Sequence, residues 1–202
     1  MAKVKAKKHS TFIDMTAMSD VTVLLLTFFM LTATFLPKEP IQVTTPQSVV
    51  EIKIPDANLL TILVKPDGLV YLNLDRPNDK RAVLAEVAKD YNISFSDKQV
   101  LSFVNQATIG VPINQLSQFL DMPMLDQDDV LKTTGIPTDS ASNQLKYWVQ
   151  KAKLVNPDLQ IAVKADRSTP YPKVNNVIAT LQEIKENRFN LITNLGKMPE
   201  GF

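Results

Sequence analysis

The stretch Met15-Thr-Ala-Met-Ser-Asp20-Val-Thr-Val-Leu-Leu-Leu-Thr-Phe-Phe-Met-Leu-Thr-Ala-Thr-Phe35 decides how this chain is organised. It is the one membrane-length apolar run in the sequence, close to the ~20 residues a helix needs to cross a bilayer core. Asp20 lies inside it. An ionised side chain at such a place costs on the order of 2.5–3.5 kcal/mol on insertion scales, so its first reading is a proton or ion relay. At ~100° per residue, Thr16, Asp20, Thr27 and Thr34 fall within about 40° of one another on a helix. Val23, Leu25, Leu26, Phe28, Phe29 and Ala33 occupy the flanking and opposite faces. Asp20 therefore heads a polar seam that faces protein or water. Thr22 and Thr32 lie off this seam and are expected to return their hydroxyls to carbonyls one turn back. Asp14 points elsewhere and reads as a solvated or capping carboxylate at the interface.

The flanks orient the span. Lys3, Lys5, Lys7, Lys8 and His9 precede it, so residues 1–11 read as a basic cytoplasmic tail, 12–36 as the transmembrane helix, and the remainder as exterior. A cleaved signal peptide competes with this reading, using Val21–Met30 as its apolar core and Thr32-Ala33-Thr34 as its cleavage site. The long polar lead-in and the two acidic residues before the apolar run favour an uncleaved anchor. The formal net charge of +1 hides an asymmetry. Once the tail lysines and the two aspartates at the span are set aside, 18 basic face 19 acidic residues. A near-neutral exterior offers no electrostatic case for nucleic acid binding.

Residues 37–58 read as a stiff, proline-rich linker with four prolines between Pro37 and Pro55 and no glycine. Within it, Val50-Glu51-Ile52-Lys53-Ile54 alternates at strand period ahead of Pro55. It is either a solvated tether or a strand that pairs with another chain through edge backbone groups. Residues 59–202 read as one α+β domain with a mixed sheet. Leu60, Ile62 and Val64, a Pro66-Asp67-Gly68 turn, and Val70, Leu72 and Leu74 predict a hairpin. Asn78 is expected to cap a helix carrying Val83, Val87 and Tyr91 on one face. A second helix should begin near Thr138–Ser140 and bury Leu145, Trp148, Val149, Ala152 and Val155. A strand through Leu159, Ile161, Val163 and Ala165 follows. Then comes a helix capped by Thr169 with Pro170 at its first position, and a last strand over Phe189–Leu195.

What is missing narrows the chemistry. The chain has no Cys, and its only His is His9, so disulfides, thiolate sites and a Ser-His-Asp triad in the exterior part are excluded. The five glycines show no phosphate-loop spacing. Asp166-Arg167 reads as a turn salt bridge. Neither an enzyme nor a metal site is expected, and no cofactor beyond protons as the coupling ion.

Ile13-Asp14-Met15-Thr16-Ala17-Met18-Ser19-Asp20-Val21, followed by Leu24-Leu25-Leu26-Thr27-Phe28-Phe29-Met30, resembles the ExbD/TolR family of bacterial inner-membrane motor subunits. That family's pattern is approximately I-N-V-T-P-F-I-D-V and then a Leu-rich run with F-M. Asp14, Ala17 and Ser19 depart from it. Ile52-Lys53-Ile54-Pro55 is similar to the family's V-x-L-P segment, and Leu159–Asp166 through Pro170-Tyr171 to its strand, A-D, P-Y, helix block. The stretch at about 92–136 has no counterpart and reads as a helical insertion. Ser96-Asp97 would cap a helix with Val100, Leu101 and Val104, and Pro112 would start one with Leu116, Phe119 and Leu120. Asp126–Asp129 reads as an acidic solvated patch. The insertion either decorates the surface or docks a partner.

The resemblance implies that Asp20 is the proton-carrying residue. It also implies that the chain works as a dimer inside an ExbB/TolQ-like multi-span pentamer, and that a TonB-like transducer is engaged outside. A multi-span partner is expected on physical grounds too, because one helix cannot enclose a pathway. A TolR-like role in envelope constriction, and a membrane-tethered binding module without proton transfer, are the alternatives.

Overall fold

The structure, a computed structural model, describes residues 15–33, 41–48, 58–139, 142–192 and 194–195. The chain divides into two units, Met1–Pro37 and Lys38–Phe202. The described part of the first is one helix, α1 (Met15–Thr32). The second is an α+β domain.

Its centre is set by alternating and β-branched residues. β2 (Leu59–Val64) and β3 (Val70–Leu74) form the predicted antiparallel hairpin, with Leu60 opposite Leu74 and Val64 opposite Val70. The turn works because Gly68 takes φ +82°, a left-handed conformation that costs glycine nothing. β6 (Gln160–Ala165) pairs parallel to β2, and β7 (Phe189–Leu191) parallel to β6. The mixed sheet therefore runs β3-β2-β6-β7. Leu60, Ile62, Val64, Ile161 and Val163 are buried along its middle, each contributing about 1.5–3 kcal/mol of apolar transfer at most.

Helices α2 (Pro77–Tyr91), α6 (Gln144–Val155) and α7 (Tyr171–Glu183) bury Val83, Leu84, Val87, Leu145, Trp148, Val149, Val177 and Leu181. Their starts differ from expectation by a few residues, for local reasons. Pro77 itself opens α2, because proline at the first position forfeits no intrahelical bond. α6 begins only at Gln144, where Asn143 accepts from the Lys146 N–H at 3.1 Å. The preceding Thr138-Asp139 instead pairs with Ser142-Asn143, as β4 with β5. Pro170 caps α7 rather than entering it. Tyr91 is not core. It lies edge-on to Tyr147 at 5.4 Å, whose hydroxyl donates to Asp90 at 2.8 Å, and Lys151 reaches the same carboxylate at 2.6 Å. These two donors hold Asp90 below the usual carboxylate range.

The stretch at about 92–136 is built into the fold. α3 (Asp97–Asn105) carries the Ser96/Gln99 capping box, a 3₁₀ turn (Ile113–Gln115) leads into α4 (Leu116–Asp121), and α5 is Met124–Thr133. On α3 Gln99 and Phe103 are buried, Val100 packs partly buried against the core, Leu101 is exposed, and Phe103 stacks on Trp148 at 6.1 Å. Asp126 and Asp129 are exposed, as expected of a solvated acidic patch, and the stretch forms the first turns of α5 with Gln127 buried among them. The insertion also closes the outer edge of β3. Leu72 and Ile109 exchange two backbone hydrogen bonds of 2.8 and 2.7 Å, and the Ile136 N–H donates to Val70 at 2.8 Å. Unpaired strand edges invite association, and this one is taken. The buried Tyr71 hydroxyl donates to the Leu131 carbonyl at 2.7 Å, and burial pushes its pKa up to about 12. Gly110 lies against that ring, so close that a Cβ would sit 2.1 Å from Tyr71 Cδ1. Lys80 on α2 donates to the carbonyls of Val104 (3.3 Å) and Gln106 (2.7 Å), fastening the C-terminus of α3 to the scaffold. Burial lowers the Lys80 pKa.

Part of the proline-rich stretch also lies on this unit. Ile41 and Thr45 are buried, the Thr44 N–H donates to Asp166 at 2.9 Å, and the Arg167 N–H donates back to Thr44 at 2.8 Å. β1 (Gln47–Ser48) then pairs parallel with β8 (Asn194–Leu195). Asp166 uses its carboxylate on the Thr44 N–H and on the N–H and hydroxyl of Ser168, which lower its pKa, in place of the salt bridge expected with Arg167.

Candidate functional site

Eighteen residues of α1 rise about 27 Å at ~1.5 Å per residue, close to the ~30 Å of a bilayer core. Composition makes the helix and burial does not, since every described side chain on it is exposed. Leu24, Leu25, Leu26, Phe28, Phe29 and Leu31 present a bare apolar surface, which is stable only in lipid or against another apolar wall. Among the described residues this is the one helix long and apolar enough to span a membrane.

Within that surface the polar groups follow two patterns. Thr22 donates its hydroxyl to the Met18 carbonyl, and Thr32 donates to Phe28 at 2.8 Å, as their positions off the seam predict. Thr27, on the seam, does the same toward Val23 (3.0 Å) and Leu24 (2.9 Å). Its donor is thus used locally, and only its lone pairs face outward. Spacing alone could not separate Thr27 from its neighbours, because any helical threonine can reach a carbonyl three or four residues back. Thr16 and Asp20 stand one turn apart on the exposed helix, and Thr34 lies outside the described residues. No described residue hydrogen-bonds to the Asp20 carboxylate. Among the described residues, nothing satisfies its oxygens.

The second expected site, Val50-Glu51-Ile52-Lys53-Ile54-Pro55, lies outside the described residues, as does the basic tail. The unit Lys38–Phe202 holds no His or Cys, and no cluster of metal-ligating side chains is found among the described residues.

A basic N-terminal tail, an apolar helix interrupted by a single carboxylate, and a mixed-sheet domain are thus joined in one chain. The family model for the biopolymer transport protein ExbD/TolR matches residues 6–196, nearly the whole chain. The chain belongs to the ExbD/TolR family. No curated protein and no solved structure matches it significantly. Membership makes it a motor-type subunit of biopolymer transport, a family whose members work in membrane-associated complexes. The match extends from the basic tail to β8, so the helix and the α+β domain belong to one family architecture.

Proposed function

We propose that this ExbD/TolR member is the proton-carrying subunit of an inner-membrane motor of the ExbD type, energising outer-membrane transport through a TonB-like transducer. Asp20 carries the proposal: it is a carboxylate with no partner from the described part of its own chain, and the one charged residue of α1. Its neutral form can face an apolar wall, while its charged form needs a polar one. A surrounding ExbB/TolQ-like pentamer that alternates the two would move a proton each time. One charge crossing 100 mV releases about 2.3 kcal/mol, enough to bias such a step. Thr16 and the outward lone pairs of Thr27, with Thr34 beyond, supply the polar side.

In this reading the N-terminal tail is cytoplasmic, the α+β domain is periplasmic, and two copies of α1 share one pentamer. The Val50–Pro55 segment then pairs as a strand with a second copy or with the transducer. The test is Asp20→Asn, which removes the titratable proton at nearly constant size. The complex should assemble at normal stoichiometry while energised transport falls to background. Transport near the wild-type level would end the proposal. Native mass spectrometry of the extracted complex checks the copy number, and a single copy of this chain per ring would contradict it.

A further inference from the structure

At the elbow where α4 turns into α5, the usual order of burial is inverted. Gln127 is 1% exposed, while Met122, Met124 and Leu125 are 40%, 51% and 77% exposed. The inversion follows from how α5 is anchored. Gln127 donates to the Ser102 hydroxyl (3.0 Å) and the Met122 carbonyl (2.8 Å), and Leu131 fills the core beside Tyr71. That fixes the rotation of the helix and leaves Leu125 on its opposite side. Leu101 on α3 is also exposed, one residue from Ser102. The two methionines of the described exterior unit are both at this elbow. A cluster of exposed flexible thioethers and a leucine suits contact with another surface, since such side chains adapt to irregular apolar partners.

The charges around the elbow select the partner. From Asp121 to Asp129 there are four aspartates and no basic residue, and the nearest lysine, Lys132, is paired with Asp129 at 2.6 Å. Asp121 also accepts from Gln99 at 3.0 Å. An anionic lipid surface would be repelled by this rim, because membrane binding draws on basic residues. A symmetric contact with the same patch of a second copy would oppose like charges. A protein segment that sets an apolar anchor between lysines or arginines satisfies both the apolar tip and its rim.

We propose that the Met122/Met124/Leu125 elbow of the insertion is a docking surface for a partner segment carrying an apolar anchor flanked by basic residues. The surface is separate from Asp20 and does not depend on the proton-carrying role. The test uses the full chain in detergent and three probes. These are a synthetic peptide with a leucine anchor flanked by lysines, the same peptide with glutamates for lysines, and vesicles with and without anionic lipid. The lysine peptide should bind, and binding should weaken as salt rises.

Leu125→Ser should reduce that affinity about tenfold, the order of one apolar side chain left in water, and Asp126→Asn should flatten the salt dependence. Leu154→Ser, which alters an exposed leucine on α6, should change nothing. The proposal is overturned if the lysine peptide does not bind, if the glutamate peptide binds equally, or if Leu125→Ser and Leu154→Ser act alike. It is also overturned if vesicles, and not the peptide, respond to Leu125→Ser.

Discussion

On α1, Thr22, Thr27 and Thr32 direct their hydroxyls to their own backbone within one turn, and the described side chains are exposed. In the α+β domain, Tyr71, Lys80, Gln99 and Gln127 are buried and aim their polar atoms at other elements, 18 or more residues away in sequence for the bonds from Tyr71 and Lys80 and for Gln99 to Ser117. The domain directs these groups to partners within itself, as most buried donors and acceptors are, although Gln106 Nε2, Gln127 Oε1 and Trp148 Nε1 are buried without a hydrogen-bond partner among the described residues. The helix settles what it can locally and leaves the Asp20 carboxylate for something outside itself. An exposed carboxylate that no described residue satisfies marks where this chain can work with others, and the buried bonds between elements mark where it holds itself together.

If that contrast is right, substitutions in the two regions should dissociate. Asp20→Asn should have the largest functional effect, complete loss of energised transport, with no change in the melting temperature of the exterior domain. Gly110→Ala should do the reverse. Its Cβ would press on the fully buried Tyr71 ring, and overpacking of this kind costs on the order of 3 kcal/mol. Urea denaturation should show that loss, and hydrogen exchange should rise first at Leu72 and Ile109. If Gly110→Ala is as stable as the parent chain, the insertion is not latched to β3 as described.

Lys80→Met should cost about 2 kcal/mol, because the buried Gln106 carbonyl loses its donor. A pH signature accompanies it. The Lys80 pKa is lowered in the folded state, so the unfolded chain binds more protons between that value and the ordinary lysine value. Stability should therefore rise with pH across that window, and Lys80→Met should remove the rise. Asp166 should give the smallest effect. Its pKa is lowered by Ser168 and by the Thr44 N–H, so its contribution is present above the ordinary carboxylate value and is lost as pH falls through the folded one. The Thr44 amide resonance should shift in that acid window, and Asp166→Asn should abolish the shift.

The sequence made the hairpin, the β6 strand and the faces of α2, α6 and α7 legible, because each rests on a local period and a nearby stop signal. Leu60, Ile62 and Val64 need only alternate, and Pro66-Asp67-Gly68 needs only to turn. Asp20 was legible for a different reason: a charge in an apolar run stands out in any register. The insertion was hidden. Its rotation is fixed by Gln127 reaching Ser102 and by Tyr71 reaching Leu131, contacts across 25 and 60 residues that no local pattern encodes. With Gln127 inside and Leu125 outside, hydrophobic periodicity could not give the buried face of α5, nor the burial of Gln99 and Phe103 on α3. The docking of Ile41 and Thr44 was hidden likewise, since proline-rich composition describes stiffness and not what the chain lies against.

That docked segment matters when the domain is placed under load. A pull delivered at Ile41 meets the Thr44–Asp166 and Thr44–Arg167 bonds and the two-residue β1–β8 pair before it reaches β2. The β2–β6 ladder, by contrast, is six residues long and fully flanked. Tension along the tether would therefore yield at its weakest fastening first. Residues 41–48 would peel away while the mixed sheet kept its shape, as a sewn fold of webbing lengthens a strap without tearing it.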